Sequence, residues 1–395
     1  MRAIATSPKP VPRGRTVVAI AVAAVTIDTA LLGLIAPLLP EIERRTGASE
    51  GALGASFAAY AVPIVLLSLP LGRLADSVGR RGLLIAGLLL AAAGSGVIAV
   101  SESLWLLMLG RVIQGVGSAA SWIAALALVS DLARPGQRGE AIGVALAATG
   151  AGSIAGPALG GVTADLLSFA APFLIVGTIS AVLALAAAIL LPHERRAAVR
   201  TPAWAAIRRS VGSGTGAVAI GMTFAGACAL GLIEVVAPLD LDSRLALSSS
   251  AIGLLFAWSI AVDAAIAPVG GRWGDRRGRR GPAVLGLAAT AASALLLAEL
   301  GGTLGAALAL GVFGAGFSLT FAAAVPWLDE AFGEVERGLG YGVLNMLYAA
   351  GYTIGPLVGG ALLEVASADA AYGLTAAALA CCAIAVFRLV RASTT

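Results

Sequence analysis

The stretch Gly72-Arg-Leu-Ala-Asp76-Ser-Val-Gly79-Arg80-Arg81 returns 199 residues later as Gly271-Arg-Trp-Gly-Asp275-Arg-Arg-Gly278-Arg279-Arg280. A second pattern, Gly143, Gly152, Gly156-Pro157 and Gly160-Gly161, returns as Gly342, Gly351, Gly355-Pro356 and Gly359-Gly360 at the same offset. Two unrelated motifs sharing one offset mark a tandem duplication. Each copy is therefore one structural unit repeated in the same chain direction.

What surrounds the motifs says where the units sit. Of the 395 residues, 59% are hydrophobic and only 12% charged, and the mean hydropathy is +0.94. Soluble domains carry about 45–50% apolar and about 25% charged residues. The composition excludes a water-soluble enzyme, a disordered chain and a secreted disulfide scaffold. It is that of a polytopic membrane protein.

A spanning helix needs about 20 mostly apolar residues. Dividing the apolar runs at charged, Gly and Pro punctuation predicts twelve spans, roughly 17–39, 51–71, 83–100, 104–129, 140–163, 171–191, 217–239, 250–270, 282–300, 303–327, 340–363 and 370–390. No alternating ten-residue pattern points to a barrel, so the fold class is all-α. The longest connection, 192–216, separates a first six-helix half (1–191) from a second (217–395). It holds His193, the one histidine, and its Trp204 and Ile207 suggest a short interfacial helix. The basic start resembles a signal peptide, but the run from Val17 to Leu39 is too long for a signal core and reads as a retained first span.

Of the 26 Lys and Arg, all but Arg44, Arg45, Arg244 and the intramembrane Arg111 fall in the tails and the even-numbered connections. That asymmetry places both termini in the cytoplasm. It accounts for the net charge of +4 without a nucleic-acid partner. Cys228, Cys381 and Cys382 lie within apolar runs and offer neither a disulfide framework nor a metal site. Neither metal nor cofactor is expected, and no Walker motif supplies ATP. A parallel 6+6 duplication in a membrane points to a transporter, with its substrate site between the halves.

Away from the span ends, four charged residues fall inside spans: Asp28 in span 1, Arg111 in span 4, Glu234 in span 7 and Asp263 in span 8. Each costs several kcal/mol in hydrocarbon, about 2.5–3.5 for an arginine on insertion scales, and marks function by default. Tyr341, Asn345, Tyr348 and Tyr352 share one face of span 11, and Arg111, Gly115, Ser118 and Trp122 one face of span 4. Either face suits a cavity wall that stacks on a flat cation. Gln114 and Tyr60 complete the polar candidates.

With these residues in view, the chain resembles the major facilitator superfamily over essentially its whole length. The resemblance implies that Gly72, Asp76, Gly79 and Arg80, with Asp275 and Arg279, belong to a cytoplasmic gate in which Arg80 pairs with an acid such as Asp131. Gly143, Gly152, Gly156, Pro157, Gly160 and Gly161, repeated at Gly355 and Pro356, resemble the signature of the drug:proton antiporter branch, which seals the outer side of the cavity. Arg111 is similar to an arginine that the family links to proton transfer. The segments Asp28 to Pro40 and Leu232 to Pro238 resemble spans 1 and 7 of the vesicular monoamine and acetylcholine transporters. There the acids serve amine recognition and proton exchange. Tyr60 and Asn345 stand where those transporters carry a lysine and an acid.

The reading is a monomeric, proton-coupled antiporter of the cell (inner or plasma) membrane, exporting small lipophilic or amine cations. An importer or symporter of a neutral or anionic metabolite, with Arg111 as anion ligand, is the alternative. A receptor or embedded enzyme lacks a sensory domain or catalytic cluster. With no histidine in any span, protons must ride on carboxylates. The similar depths of Asp28 and Arg111 make them the expected ion pair, leaving Glu234 to take up the proton. The span-5 glycine stripe is expected against span 8, and Asp76 near the start of span 11.

Overall fold

The computed structural model describes residues 13–132, 138–191 and 214–392, and among them every regular element is helical. In chain order these are α1 (Arg13–Gly33), α2 (Leu39–Thr46), α3 (Glu50–Val78), α4 (Arg80–Ala99), α5 (Leu104–Leu132), α6 (Arg138–Leu166) and α7 (Ala171–Leu190). The second set is α8 (Gly214–Leu245), α9 (Ser249–Arg277), α10 (Arg280–Glu299), α11 (Gly302–Val365) and α12 (Ala368–Ala392). The suggested interfacial helix around Trp204, and His193, lie outside the described residues.

The first predicted span, 17–39, is longer and broken in the structure. Pro37 and Pro40 lack the N–H that a continuing helix needs. The chain therefore leaves α1 at Gly33, makes a 3₁₀ turn at Ala36–Leu38 and starts α2 with a proline in its first turn. Gly47, with φ of 63°, ends α2 in the left-handed conformation. The repeated loops turn on glycine as well. Gly79 (φ 91°) separates α3 from α4, and Gly278 (φ 83°) separates α9 from α10. A side chain at either position would be strained, so the duplicated motif keeps its glycine for backbone reasons.

α11 is a single helical run of 64 residues. Straight, it would measure about 96 Å against a hydrocarbon core of about 30 Å. The rings of Phe321 and Tyr348 nevertheless lie 6.1 Å apart, where a straight helix would separate them by about 40 Å. The run therefore doubles back and supplies both predicted spans, Gly302–Phe332 and Val343–Val365. Eleven stretches among the described residues are long and apolar enough to cross a bilayer. α6, part of whose side chains lie outside the described set, occupies the remaining predicted position. The fold is thus the expected all-helical, twelve-span arrangement.

Each six-helix set packs its own apolar core, Val17, Leu84 and Ala124 in the first and Ile233, Leu287 and Phe313 in the second. A third cluster joins the sets: Leu34, Ile35, Leu38, Leu53 and Phe57 of the first meet Val235, Leu239 and Tyr352 of the second. At this end Arg44 pairs with Asp242 at 2.9 Å. The sets are sealed together here.

The seal is built from one contact made twice. A Cβ on Gly253 of α9 would overlap the Pro157 carbonyl of α6, and a Cβ on Gly161 the Ser249 carbonyl. At an offset of 199, Gly54 of α3 meets the Pro356 carbonyl of α11, and Gly360 meets that of Glu50. Such approaches admit only glycine. The duplication read from the sequence is therefore a two-fold arrangement in space.

Candidate functional site

Beneath the seal lies a cavity of about 500 Å³ that runs toward the opposite end, past Ser68, Leu126 and Val325. That volume suits a drug-sized molecule. The first set lines it with Asp28 of α1, Tyr60 of α3, and Ser118 and Trp122 of α5. The second set contributes Glu234 of α8, Asp263 of α9, and Asn345, Tyr348 and Tyr352 of α11. All three predicted intramembrane acids reach one cavity. Most of its remaining surface is apolar.

Asp28 and Glu234 are buried, at 8% and 6% exposure. Each has a hydroxyl partner. Ser118 lies in hydrogen-bonding range of both Asp28 and Tyr60, and Tyr352 donates its phenolic O–H to Glu234 Oε2. The Asp263 backbone carbonyl accepts from Ser318 at 2.8 Å, which ties α9 to α11 beside the cavity.

Arg111 is not where the sequence places it. It is fully buried behind the cavity wall, with its guanidinium 4.3 Å from the Tyr60 ring centroid and 5.9 Å from that of Phe57. One terminal nitrogen donates to Gln114 at 3.1 Å and to the Leu31 carbonyl at 3.4 Å, and Gln114 donates onward to Ser95. The expected ion pair with Asp28 is not made. The cavity acid whose charge the arginine feels is instead Glu234. The expectation rested on depth along the helix axis, but helix rotation decided the neighbour. Gln114 and Gly115 also leave the cavity wall, since Gly115 packs on the Tyr60 backbone. Of that predicted α5 face only Ser118 and Trp122 reach the cavity, beside Ala119, Ile123 and Leu126 of the same helix.

Sequence reasoning missed an aromatic ladder. Phe313, Phe317 and Phe321 recur every four residues on the first arm of α11, with centroids 6.0 and 4.5 Å apart. Phe321 meets Tyr348 edge-on, and Tyr348 stacks on Tyr352 at 6.1 Å with planes 8° apart. The five rings thus form one continuous ladder along the cavity, drawn from both arms of α11. The signal was present as an i, i+4, i+8 aromatic pattern in span 10.

The glycine stripe also faces differently. Cβ atoms on Gly152, Gly156 and Gly160 would overlap the backbone of Thr26 and Ala30 in α1 and of Leu34 just beyond it; the Pro157 ring packs on Gly33 of α1, while the Pro157 carbonyl and Gly161 meet α9. Positions four apart share one face, and Pro157 and Gly161 lie one residue round from it. In the second half Gly351, Gly355 and Gly359 pack likewise on α8, as does the Pro356 ring at Gly231, while the Pro356 carbonyl and Gly360 meet α3. The side chains of Gly72, Asp76, Asp131, Gly143, Tyr341 and Gly342 lie outside the described set, and with them the expected Arg80–Asp131 pair and the place of Asp76. At the second loop, Asp275 is exposed and Arg279 pairs with Glu330.

The sequence model of the Major Facilitator Superfamily matches residues 18–221 and again 218–395. The chain belongs to that superfamily. It is 38% identical over 175 residues to the tetracycline resistance protein, class G, of Vibrio anguillarum, covering 44% of either chain. The class D tetracycline resistance protein of Salmonella ordonez is also 38% identical, over 165 residues and 41% of each chain. The matches thus span less than half the length of these curated relatives. In fold, the chain is similar to a bacterial homologue of the human lysosomal transporter Spinster in an inward-facing and occupied conformation. The TM-score is 0.82 at 17% identity, over 97% of this chain and 98% of that one. This superfamily comprises membrane transporters and not enzymes.

Proposed function

We propose that this superfamily member is a proton-coupled antiporter of the cell membrane that exports small lipophilic or amine cations. The observation that carries the reading is the cavity. Two buried carboxylates, Asp28 and Glu234, face it from opposite halves, and Asp263 joins them from α9. A cation and a proton then compete for the same acidic groups, which is exchange in its simplest form. The similarity to tetracycline resistance proteins supports drug export.

In this reading the charge asymmetry puts both termini in the cytoplasm. The sealed end is then the outer one and the cavity faces inward. The two halves, 1–191 and 217–395, rock about the cavity as units, with 192–216 as the connecting loop. Asp28 holds the cation, Glu234 exchanges the proton and Tyr352 positions the Glu234 carboxylate. The ladder of Phe313, Phe317, Phe321 and Tyr348 gives flat substrates a surface to stack on. Gly72, Asp76, Gly79, Arg80, Asp131, Asp275 and Arg279 gate the inner side. An importer of anions would need Arg111 as ligand, and its position behind Tyr60 favours export.

A substrate panel tests this in proteoliposomes carrying an imposed pH gradient. Uphill movement of organic cations that collapses with the gradient is the expected result. Gradient-independent flux, or flux confined to anions, would overturn it.

A further inference from the structure

Two carboxylates at the sealed end do a job that neither the glycine pattern nor the cavity describes. Glu364, at the end of α11, accepts hydrogen bonds from the Gly51 N–H at 3.1 Å and the Ser49 hydroxyl at 3.2 Å, both at the start of α3. Asp165, at the end of α6, accepts from the Ser250 N–H at 2.7 Å at the start of α9, with Ser248 and Ser249 also in hydrogen-bonding range. Every participant has its twin 199 residues away: Asp165 and Glu364, Ser49 and Ser248, Gly51 and Ser250. The serines match in function too. Ser49 Oγ accepts from the Ala52 N–H and Ser248 Oγ from the Ala251 N–H, so each caps its own helix.

A helix start leaves N–H groups without intrahelical partners and carries partial positive charge. A carboxylate from another helix satisfies both needs at once, and such charge-assisted bonds are the strong ones. Here the carboxylate always comes from the opposite six-helix set. Each bond set therefore exists only while this end is shut. The glycine contacts make close approach possible, but they are van der Waals surfaces and carry no charge.

We propose that Asp165 and Glu364 are a symmetric pair of latches. Each grips the N-terminus of a helix in the other half, and both release when the sealed end opens. Equal latches on either side of the two-fold axis hold that end without tilting one half on the other. The latches rest on the superfamily's alternation between two faces, but not on which substrate is carried.

The test uses the full-length protein in lipid nanodiscs, with spin-label pairs across the sealed end and distances recorded with and without an imposed substrate cation. Asp165→Asn and Glu364→Gln are each expected to raise the open-to-closed ratio about fivefold, the worth of a helix cap. The double variant is expected to multiply the two effects. Glu102→Gln, an exposed carboxylate on the same end, serves as control and leaves the ratio unchanged. Ser49→Ala removes one arm of a latch without altering charge and shifts the ratio in the same direction, so the idea stays testable if a carboxylate variant folds poorly. Superimposable distance distributions for wild type, single and double variants would overturn the latches. A sealed end that never opens in any protein, wild type included, would instead count against the transport reading.

Discussion

Tyr352 donates its phenolic hydrogen bond to Glu234, joining the second arm of α11 to α8 at the top of the cavity. The tyrosine ring also stacks on Tyr348, so the carboxylate is held at the Tyr352 end of the aromatic ladder. A hydrogen bond to a charged group contributes about 1.5–3 kcal/mol. Tyr352→Phe keeps the ring and removes the bond. Proton-coupled flux is expected to fall about tenfold, with membrane insertion and helix content unchanged. Wild-type flux would separate Tyr352 from coupling.

The ladder itself is tested at Phe317, which touches both Phe313 and Phe321. Aromatic pairs contribute about 0.5–1.5 kcal/mol beyond their buried area. Phe317→Ala is expected to weaken binding of flat aromatic cations about three- to tenfold and of small alkylammonium ions less. Isothermal titration with the two ligand classes reads the difference. Equal losses for both would assign Phe317 to packing.

The seal predicts which glycines tolerate a methyl group. In Gly161→Ala the new Cβ overlaps the Ser249 carbonyl, and in Gly360→Ala that of Glu50. Overpacking typically costs about 1–3 kcal/mol. Both variants are expected to disfavour the sealed state and to cut transport at least fivefold. At Gly271 nothing lies within 4 Å of a Cβ, and Gly271→Ala is expected to be silent.

The latches carry a pH signature. Burial tends to raise the Asp165 carboxyl, but hydrogen bonds from Ser250, Ser249 and Ser248 outweigh it and hold the group below its ordinary value of 3.8. A depressed carboxyl stabilises the latched state above its unlatched pKa and loses that contribution as pH falls through the latched one. The Asp165 share of closure is therefore expected to be constant from pH 8 to about 5 and to vanish only below about pH 4. Spin-label distances in the Glu364→Gln background isolate it. Release near neutral pH would contradict the bonding pattern.

The sequence showed much of this through periodicity and repetition, which are one-dimensional. The 199-residue offset located the two-fold relation, and the acids at 28, 234 and 263 stood out because charge in hydrocarbon is costly. What stayed hidden depended on rotation about helix axes. By span position Asp28 and Arg111 are expected at similar depths, yet Arg111 turns toward Phe57 and Tyr60 and is absent from the cavity wall. Gly160 and Gly161 are neighbours in sequence but meet different segments, Leu34 just past α1 and Ser249 of α9. The Asp165 and Glu364 contacts were invisible for another reason. Acids at helix ends are common, and only the fold shows which N-terminus lies opposite.

In the proposed exchange a cation and a proton compete for the carboxylates of one cavity. Adding an organic cation to purified, weakly buffered protein and recording proton release reads that competition. Wild type is expected to release protons on binding. Asp28→Asn is expected to bind more weakly, and Glu234→Gln to bind without releasing protons. Full proton release from Glu234→Gln, or binding by wild type with no release at any pH from 6 to 8, would contradict the account.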